Sequence, residues 1–526
     1  MPSALDAPSA VDSRPAPPSS RHRRRPSRRR IPGMLGADRV TTALHGAVLL
    51  VTAVFVFMIV RLPWHGDMGV HAATIERLRH DLVNPGNPMV DSPTESPYYS
   101  PWTVFLALFA KATDLDTFDV LRCGAVLGLT ALLSGVWHFT RTLTRHRAAP
   151  PLAALCLFFL WGREILVWSG FLGFTSLSLN VSYPSTFATG LGFHFLALLH
   201  KALIRNTASW AAYPGLGALW AVMMLSHQFS GVVFTFGALG LVASLRTWPT
   251  GAVWLRFGVG LAVGVVLLAA WPYYSFFGLF GAGGLEEIHE DLYSRSLLRF
   301  TLIPIGVFAL AVRLRRHRRD PLVIWFLLGL LTVGVGAALG KWSLGRAEPA
   351  VVIPAQIAAA LCAVEGGRRL FRAAFGALLA TALAVGVWGQ KDALGFVFRE
   401  DALPSAVTRD AVQAKTSYAW LTSYTAYGDV FMTGEWTAQK VPGYGGYTVI
   451  AGYPDFFLPD EKQRRTDTER YFARDTPRDE RLAILHKYHV TWVLQWRDEG
   501  GLSGKDPALR FVKKGPNAQS LYRVVG

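Results

Sequence analysis

The sequence predicts an all-α polytopic membrane protein of about 11 transmembrane helices with a small C-terminal α/β domain. The chain has 526 residues, 51% of them hydrophobic, and a positive mean hydropathy. The apolar residues gather in blocks of about 17–22 with almost no charge, and about 20 helical residues cross a hydrocarbon core of about 30 Å. Because lipid offers no partner for free backbone N–H and C=O groups, we expect these blocks to be helices.

Eleven blocks of this kind follow one another: 42–62, 118–140, 149–168, 184–203, 209–226, 229–245, 254–277, 297–314, 321–340, 347–364 and 371–389. Residues 1–40, before the first, are rich in Pro, Ser, Ala and Arg, so we expect a disordered basic tail. The first block is too long for a signal peptide and lacks a small-residue cleavage site. It is therefore predicted to be an uncleaved helix.

Charge predicts the sidedness of these helices. Eight arginines lie in residues 1–30, and the loops assigned to the inside carry 15 basic residues against two acids. The loops assigned to the outside, 63–117, 163–183, 278–296 and 341–348, carry about seven basic residues and 13 acids. By the positive-inside rule the N-terminus is cytoplasmic, and an odd helix count places the C-terminus outside. This alternation accounts for the net charge of +17 without nucleic acid as a partner.

Three segments follow from these patterns. They are the cytoplasmic tail 1–40, a transmembrane module 41–390 with a long first external loop 63–117, and a soluble extracytoplasmic domain 391–526. In that domain Asp479–Tyr488 has helical periodicity and Val490–Gln495 is typical of a short buried strand. In the first loop, the amphipathic stretch Met68–Val83 and the apolar stretch Trp102–Ala112 indicate interfacial helices.

Asp67 lies just past the end of the first helix, and His71 follows one helical turn later. A carboxylate at the membrane interface is partly shielded from water, which raises its basicity and suits it to deprotonate a hydroxyl. Asp is also a favoured N-cap, so Asp67 is equally interpreted as the cap of an interfacial helix. The two roles are compatible.

Two acidic motifs are open to two interpretations. The run Glu286-Glu287-Ile288-His289-Glu290-Asp291 contains groups that bind a metal or orient a sugar, or it is a solvated charge run without HExxH spacing. Asp114-Leu115-Asp116 matches the DxD pattern that holds a metal–phosphate pair in some glycosyltransferases. It also stands directly before a helix, where acids stabilise the N-terminus.

External cations are scarce, which draws attention to Arg122, Lys341 and Arg346. An interfacial arginine is costly without a partner, and a lipid phosphate fits its fork-shaped donor set. An internal pair of Arg346 with Glu348 is the alternative. His227, in the hairpin Ser226-His227-Gln228, either hydrogen-bonds substrate or lies at the interface. Cys123, Cys156 and Cys362 have no CxxC partner, so no zinc site or disulfide framework is predicted.

Several short motifs occur in a characteristic order and topology. They are Gly66-Asp67, Tyr98-Tyr99-Ser100-Pro101, Val120-Leu121-Arg122, His227-Gln228-Phe229-Ser230-Gly231, Gly345-Arg346, Thr433-Gly434-Glu435, Gly452-Tyr453-Pro454 and the stretch 486–494. In this arrangement most of residues 40–526 resembles the GT-C superfamily of membrane glycosyltransferases, in particular its bacterial members that use polyprenyl-phosphate sugars.

The resemblance implies an inverting sugar transfer from a polyprenyl-phosphate donor to an extracytoplasmic glycan, lipid or protein at the bacterial plasma membrane. Asp67 would be the general base, and His71, Arg122, His227, Glu286, Glu287, His289, Glu290, Lys341 and Arg346 would contact substrate. The motif Asp67-Met68-Gly69 differs from DxD or ExD, which argues against the metal-dependent oligosaccharyltransferase branch and leaves the need for a divalent metal open. No cofactor is predicted.

Two other functions are less consistent with the sequence. A transporter or flippase for lipid-linked glycans usually shows internal repeats and charges at mid-membrane, and the sequence shows neither. A non-catalytic scaffold for envelope assembly fits poorly with long acidic external loops. An enzyme is therefore the favoured prediction.

Overall fold

The structure is a computed structural model that describes residues 32–205, 210–246, 249–281, 285–398, 417–455, 457–516 and 518–525. Residues 1–31 of the predicted basic tail lie outside these ranges, whereas residues 32–40, predicted to be disordered, form the start of the first helix, so that part of the prediction is wrong. In the described part, all eleven apolar blocks correspond to helices or parts of helices.

Nineteen α-helices are described, and the last three of them belong to the C-terminal domain. They are α1 (Pro32–Arg61), α2 (Met68–His80), α3 (Pro101–Thr113), α4 (Thr117–Leu143), α5 (Ala149–Phe159), α6 (Phe174–Asn180), α7 (Pro184–Arg205), α8 (Ala212–Ser226), α9 (Gln228–Ala243), α10 (Gly251–Ala269), α11 (Leu285–Tyr293), α12 (Ser296–Arg299), α13 (Ile303–Arg316), α14 (Pro321–Leu339), α15 (Glu348–Glu365), α16 (Arg369–Gly389), α17 (Glu435–Ala438), α18 (Glu461–Phe472) and α19 (Arg478–Lys487). A 3-10 helix, Trp342–Ala347, leads directly into α15.

Seven helices in the described chain are long and apolar enough to cross a membrane, namely α1, α4, α7, α10, α14, α15 and α16. Three shorter apolar helices, α5, α8 and α9, lie beside them. The block 149–168 is shorter than predicted because its helix ends at Phe159, and the block 297–314 divides into α12 and α13. The chain is thus a mostly helical membrane protein, while the count of eleven spans stays a prediction.

Helix α15 lies at the centre of the bundle. Fourteen of its residues are buried, and the preceding 3-10 helix buries Gly345, Arg346 and Ala347. A helix that is apolar all round belongs inside a bundle rather than against lipid. This burial fixes the positions of Arg346 and of the first turn of α15 within the bundle.

The C-terminal domain contains a five-stranded mixed sheet. Its strands are β1 (Val430–Met432), β2 (Tyr447–Thr448), β3 (Trp492–Gln495), β4 (Leu509–Lys514) and β5 (Ser520–Val524), in the order β2-β1-β3-β5-β4. The strand β1 is parallel to β2 and β3, and β5 is antiparallel to β3 and β4. The predicted helix and strand near 479–495 are confirmed as α19 and β3.

Helix α2 is covered on both sides, which the amphipathic pattern did not predict. Its apolar residues pack on α3 and α4, and its polar side lies under the C-terminal domain. Arg77, fully buried, donates to the carbonyls of Gly445 at 3.0 Å, Gly446 and Pro88 at 3.3 Å. Its guanidinium also lies 3.6 Å from the Tyr447 ring centroid. The prediction that α2 is an interfacial helix is therefore wrong. Its apolar side is covered by α3 and α4, and its polar side is covered by the C-terminal domain.

Candidate active site

A cavity of about 900 Å³ opens where α1 ends and the C-terminal domain meets the bundle. Its wall is formed by the first loop, the α8–α9 hairpin, α11, the 3-10 helix before α15 and the segment 451–455. Seven of the predicted site residues line it: Asp67, His71, His227, Glu286, His289, Lys341 and Arg346. Residues predicted from four separate parts of the sequence therefore meet in one place.

Asp67 occupies the position before α2, but its side chain makes no cap hydrogen bond. The carboxylate instead accepts a long hydrogen bond of 3.4 Å from the Tyr98 hydroxyl. The interpretation that the Asp67 side chain caps α2 is therefore wrong. The carboxylate faces the cavity, where it is available to a bound molecule.

The surroundings of Asp67 change its acidity. Burial raises the pKa of its carboxyl above the usual 3.8, and the Arg346 charge and the Tyr98 hydrogen bond oppose that rise. A carboxylate with a raised pKa is a stronger base than a free one. The site therefore holds a group suited to accept a proton from a hydroxyl.

Arg346 is 5% exposed and lies across the cavity from Asp67, close enough for their charges to interact. Its guanidinium lies 4.4 Å from the Phe229 ring centroid and 5.1 Å from that of Trp168. One nitrogen, Nη2, donates to Ser169 Oγ at 3.0 Å, whereas Nε and Nη1 have no hydrogen-bond partner.

Glu348 interacts with this cation through its charge but is not hydrogen-bonded to it. The Oε2 atom of Glu348 and two nitrogens of Arg346 are all buried without a hydrogen-bond partner, so the alternative of a hydrogen-bonded internal pair is not what the structure shows. A buried guanidinium with unsatisfied donors is costly. Its planar fork fits two oxygens of a phosphate, so the residues present suit a phosphate group at this place.

His227 is held by its own helix end. Its Nδ1 accepts from the backbone N–H of Ser230 at 3.2 Å, which places the ring proton of the neutral side chain on Nε2. That nitrogen lies 3.4 Å from Ser169 Oγ, the same oxygen that accepts from Arg346. The same Nε2 also lies 3.4 Å from Arg346 Nη2, so the imidazole contacts the arginine directly as well as through Ser169, and it lines the cavity.

The acidic run is a helix, α11, whose side chains point in different directions. Glu286 accepts from the backbone N–H of Ser343 at 2.8 Å and from its hydroxyl at 2.9 Å, so it ties α11 to the 3-10 helix that carries Arg346. His289 is buried between the rings of Trp168 and Phe229. Lys341 lines the cavity from an exposed position.

Three predicted substrate contacts lie away from the cavity. Arg122 pairs with Asp119 at 2.6 Å and donates to the Val60 carbonyl at 3.2 Å. Glu287 and Glu290 lie on the exposed side of α11. For these two acids the solvated interpretation fits the structure, because the helix turns only Glu286 and His289 inward.

The DxD motif is structural. Asp116 caps α4 by accepting from the backbone N–H groups of Phe118 and Asp119, and Asp114 pairs with Arg79 at 2.6 Å on the surface. Within the described ranges no group of three or more His, Cys, Asp and Glu side chains is placed to hold a metal ion. The structure therefore adds no metal ligand set to the open prediction about a divalent metal.

His71 is buried and packs edge-on against Tyr98 and Tyr183, with ring centroids 5.4 and 4.7 Å away. Burial lowers the pKa of its imidazole to about 3. Its Nδ1 has no hydrogen-bond partner. His71 therefore offers the cavity a neutral hydrogen-bonding group rather than a cation.

Sequence reasoning did not select Ser169, Trp168, Tyr98 or Tyr453 as site residues. Tyr98 and Tyr453 belong to motifs that carry the family resemblance, and those motifs are the sequence signal that could have selected them. Ser169 and Trp168 lie in an ordinary loop, and only the folded chain brings them to Arg346.

Comparisons with known proteins agree with this architecture. No protein-family model and no curated protein matches the sequence. Among solved structures, the arabinofuranosyltransferase AftD from Mycobacteria superposes with a TM-score of 0.57 at 14% identity, over 91% of this chain and 40% of that one. ArnT from Cupriavidus metallidurans superposes with a TM-score of 0.51 at 16% identity, over 92% and 98% of the two chains.

A second ArnT structure, bound to undecaprenyl phosphate, gives a TM-score of 0.52 at 15% identity, over 91% of this chain and 98% of that one. The chain thus spans well under half the length of the arabinofuranosyltransferase. At these identities the likeness shows the fold. The chain has the fold of the GT-C membrane glycosyltransferases, as the resemblance in its motifs predicted.

Proposed function

We propose that this protein is an inverting membrane glycosyltransferase that moves a sugar from a polyprenyl-phosphate donor to an acceptor hydroxyl. One observation carries the proposal: a carboxylate with raised basicity, Asp67, and a buried guanidinium with two free donors, Arg346, face one cavity. A base and a phosphate-binding cation are the two groups that this reaction needs. The lipid phosphate in the ArnT structure of the same fold supports the donor class.

The reaction follows from this arrangement. The acceptor hydroxyl gives its proton to the Asp67 carboxylate while its oxygen forms a bond to the anomeric carbon of the donor sugar. The bond from that carbon to the phosphate oxygen breaks on the opposite face, and its electron pair stays on the phosphate. Arg346 stabilises the charge that develops there. The products are an inverted glycoside, a protonated Asp67 and the polyprenyl phosphate.

The sidedness of the reaction rests on charge. We propose that the cavity faces the extracytoplasmic side of the bacterial plasma membrane, because the loops that form its wall are the acid-rich ones. The C-terminal domain shares that side, since it covers α2 and contributes Tyr453 to the cavity wall.

Lipid binding tests the donor class directly. Undecaprenyl phosphate added to the detergent-solubilised protein is expected to raise its thermal unfolding midpoint, because a ligand at about 100 times its Kd stabilises the native state by about 2.7 kcal/mol. Undecaprenol, which has the same chain without the phosphate, is the matched control and should give little shift. Equal shifts for both lipids would show that the chain alone is recognised and would contradict a phosphate site at Arg346.

The pH dependence of sugar transfer tests the base. Because burial raises the pKa of Asp67, the active carboxylate form is lost as the pH falls through that raised value, so kcat/KM is expected to fall on the acid side. Tyr98→Phe removes a hydrogen bond that lowers this pKa and should move the acid limb to higher pH. If the acid limb of the kcat/KM profile does not move in Tyr98→Phe, that limb does not report the ionisation of Asp67.

A further inference from the structure

Three tyrosine hydroxyls hold the short segment that carries the proposed base. Tyr183 donates to the His65 carbonyl, Tyr453 donates to the Gly66 carbonyl at 2.8 Å, and Tyr98 contacts the Asp67 carboxylate. These tyrosines come from the start of α7, the C-terminal domain and the first loop. The turn before α2 is therefore supported from three directions.

This segment has little local structure of its own. Gly66 has φ of +39°, outside the region that L side chains favour, and the Asp67 side chain does not cap the helix. Local backbone bonds are Met68 N–H to the His65 carbonyl at 3.2 Å and His71 N–H to the Asp67 carbonyl at 3.1 Å. Distant side chains must supply the rest of the positioning.

The C-terminal domain approaches this turn very closely. A Cβ atom added at Gly69 would lie 1.6 Å from the Gln439 carbonyl oxygen, so domain backbone lies directly on the first turn of α2. The Tyr453 hydroxyl also lies 3.3 Å from that same oxygen. Tyr453 thus bridges the domain backbone and the carbonyl next to Asp67.

Further contacts hold the domain on the first loop. Asn87 donates to Asp455 at 2.6 Å, and Thr448 N–H donates to the Met89 carbonyl at 2.9 Å. Together with the buried Arg77, these bonds leave the loop and the domain as one packed unit. Movement of the domain would therefore displace Tyr453 from Gly66.

We infer that Tyr453 is a positioning residue for Asp67 and that sugar transfer depends on the C-terminal domain being docked on the first loop. This inference rests on the proposed function for its effect on catalysis, while the docking itself does not. In this role the Tyr453 hydroxyl is used for the Gly66 and Gln439 carbonyls and not for the reacting atoms. It sets where the carboxylate lies, and a displacement of about 1 Å is enough to cost on the order of 100-fold in rate.

The test compares Tyr453→Phe with Tyr418→Phe. Tyr418 is a fully buried tyrosine of the same domain, and its hydroxyl contacts domain side chains: it donates to Gln519 at 2.8 Å and lies 3.3 Å from the Thr437 hydroxyl. Tyr453→Phe is expected to lower kcat by about tenfold or more with KM for the lipid donor unchanged. It should also speed amide hydrogen exchange in residues 62–71. Tyr418→Phe should leave both the kcat and the exchange of that segment at their wild-type values.

Several results would overturn the inference. An unchanged kcat in Tyr453→Phe, or an equal fall in Tyr418→Phe, would remove the positioning role. Unchanged amide exchange of residues 62–71 in Tyr453→Phe would refute the docking contact. This result does not depend on transferase activity. Failure of the proposed function would look different: the wild type would transfer no sugar, while exchange in residues 62–71 would still respond to Tyr453→Phe.

Discussion

Asp67→Asn is expected to lower kcat for sugar transfer by about 10²–10⁴-fold, the range that general acid–base catalysis contributes. The amide keeps the shape of the carboxylate but does not accept the hydroxyl proton. Because the Asp67 side chain caps no helix, the thermal unfolding midpoint should stay close to wild type. The measurement is the release of polyprenyl phosphate and the formation of glycosylated acceptor by the protein in proteoliposomes.

Asp114→Asn is the matched control. Asp114 is an aspartate of the same long loop, 94% exposed in its side chain and paired with Arg79 on the surface. We expect wild-type transfer from this variant, since exposed ion pairs contribute little. Transfer by Asp67→Asn at the wild-type rate would refute the base. It would also favour the alternative function, transport of lipid-linked glycans, because transport needs no proton acceptor at this position.

Arg346→Gln is expected to weaken binding of undecaprenyl phosphate by about 10–100-fold. Hydrogen bonds to charged groups contribute about 1.5–3 kcal/mol, and each 1.4 kcal/mol is about tenfold in affinity. The glutamine removes both the charge and the two free donors of the guanidinium. Arg346→Lys restores the charge but not the planar fork, so an intermediate affinity is expected. The shift of the unfolding midpoint with lipid concentration measures this directly.

Arg122→Gln serves as the control for Arg346. Arg122 is the other arginine that the sequence associates with a lipid phosphate, but it pairs with Asp119 outside the cavity. We expect its substitution to leave the affinity for undecaprenyl phosphate unchanged. A larger loss in Arg122→Gln than in Arg346→Gln would place the phosphate at the start of α4 and contradict the site described above.

Much of the candidate site could be predicted because it is encoded locally. The first apolar block ends just before Asp67, and the next acids and cations fall in loops whose side of the membrane follows from charge. Seven of the ten predicted residues accordingly line one cavity. The three that do not are Arg122, Glu287 and Glu290. Neither their charge nor, for Arg122, its place in a short motif says which side of a helix a residue occupies.

Other features needed the packed chain. The amphipathic pattern of α2 predicts one dry side, and the structure buries the other side as well, because Arg77 finds carbonyls of Gly445 and Gly446 about 370 positions further on. Glu286 belongs to a charge run in the sequence but ties α11 to the segment that holds Arg346. Neither partner can be found from a window of neighbouring residues.

Hydropathy and charge suffice to predict helices at the apolar blocks and to select Asp67 and Arg346, and the proposed sidedness of the loops rests on them. These properties follow from transfer free energies that depend on each residue and its near neighbours. Tertiary packing decides that Asp67 leaves the helix end uncapped, that Arg346 keeps two free donors, and that Tyr453 reaches Gly66. Such contacts join residues hundreds of positions apart, and their existence depends on how whole helices and the domain fit together.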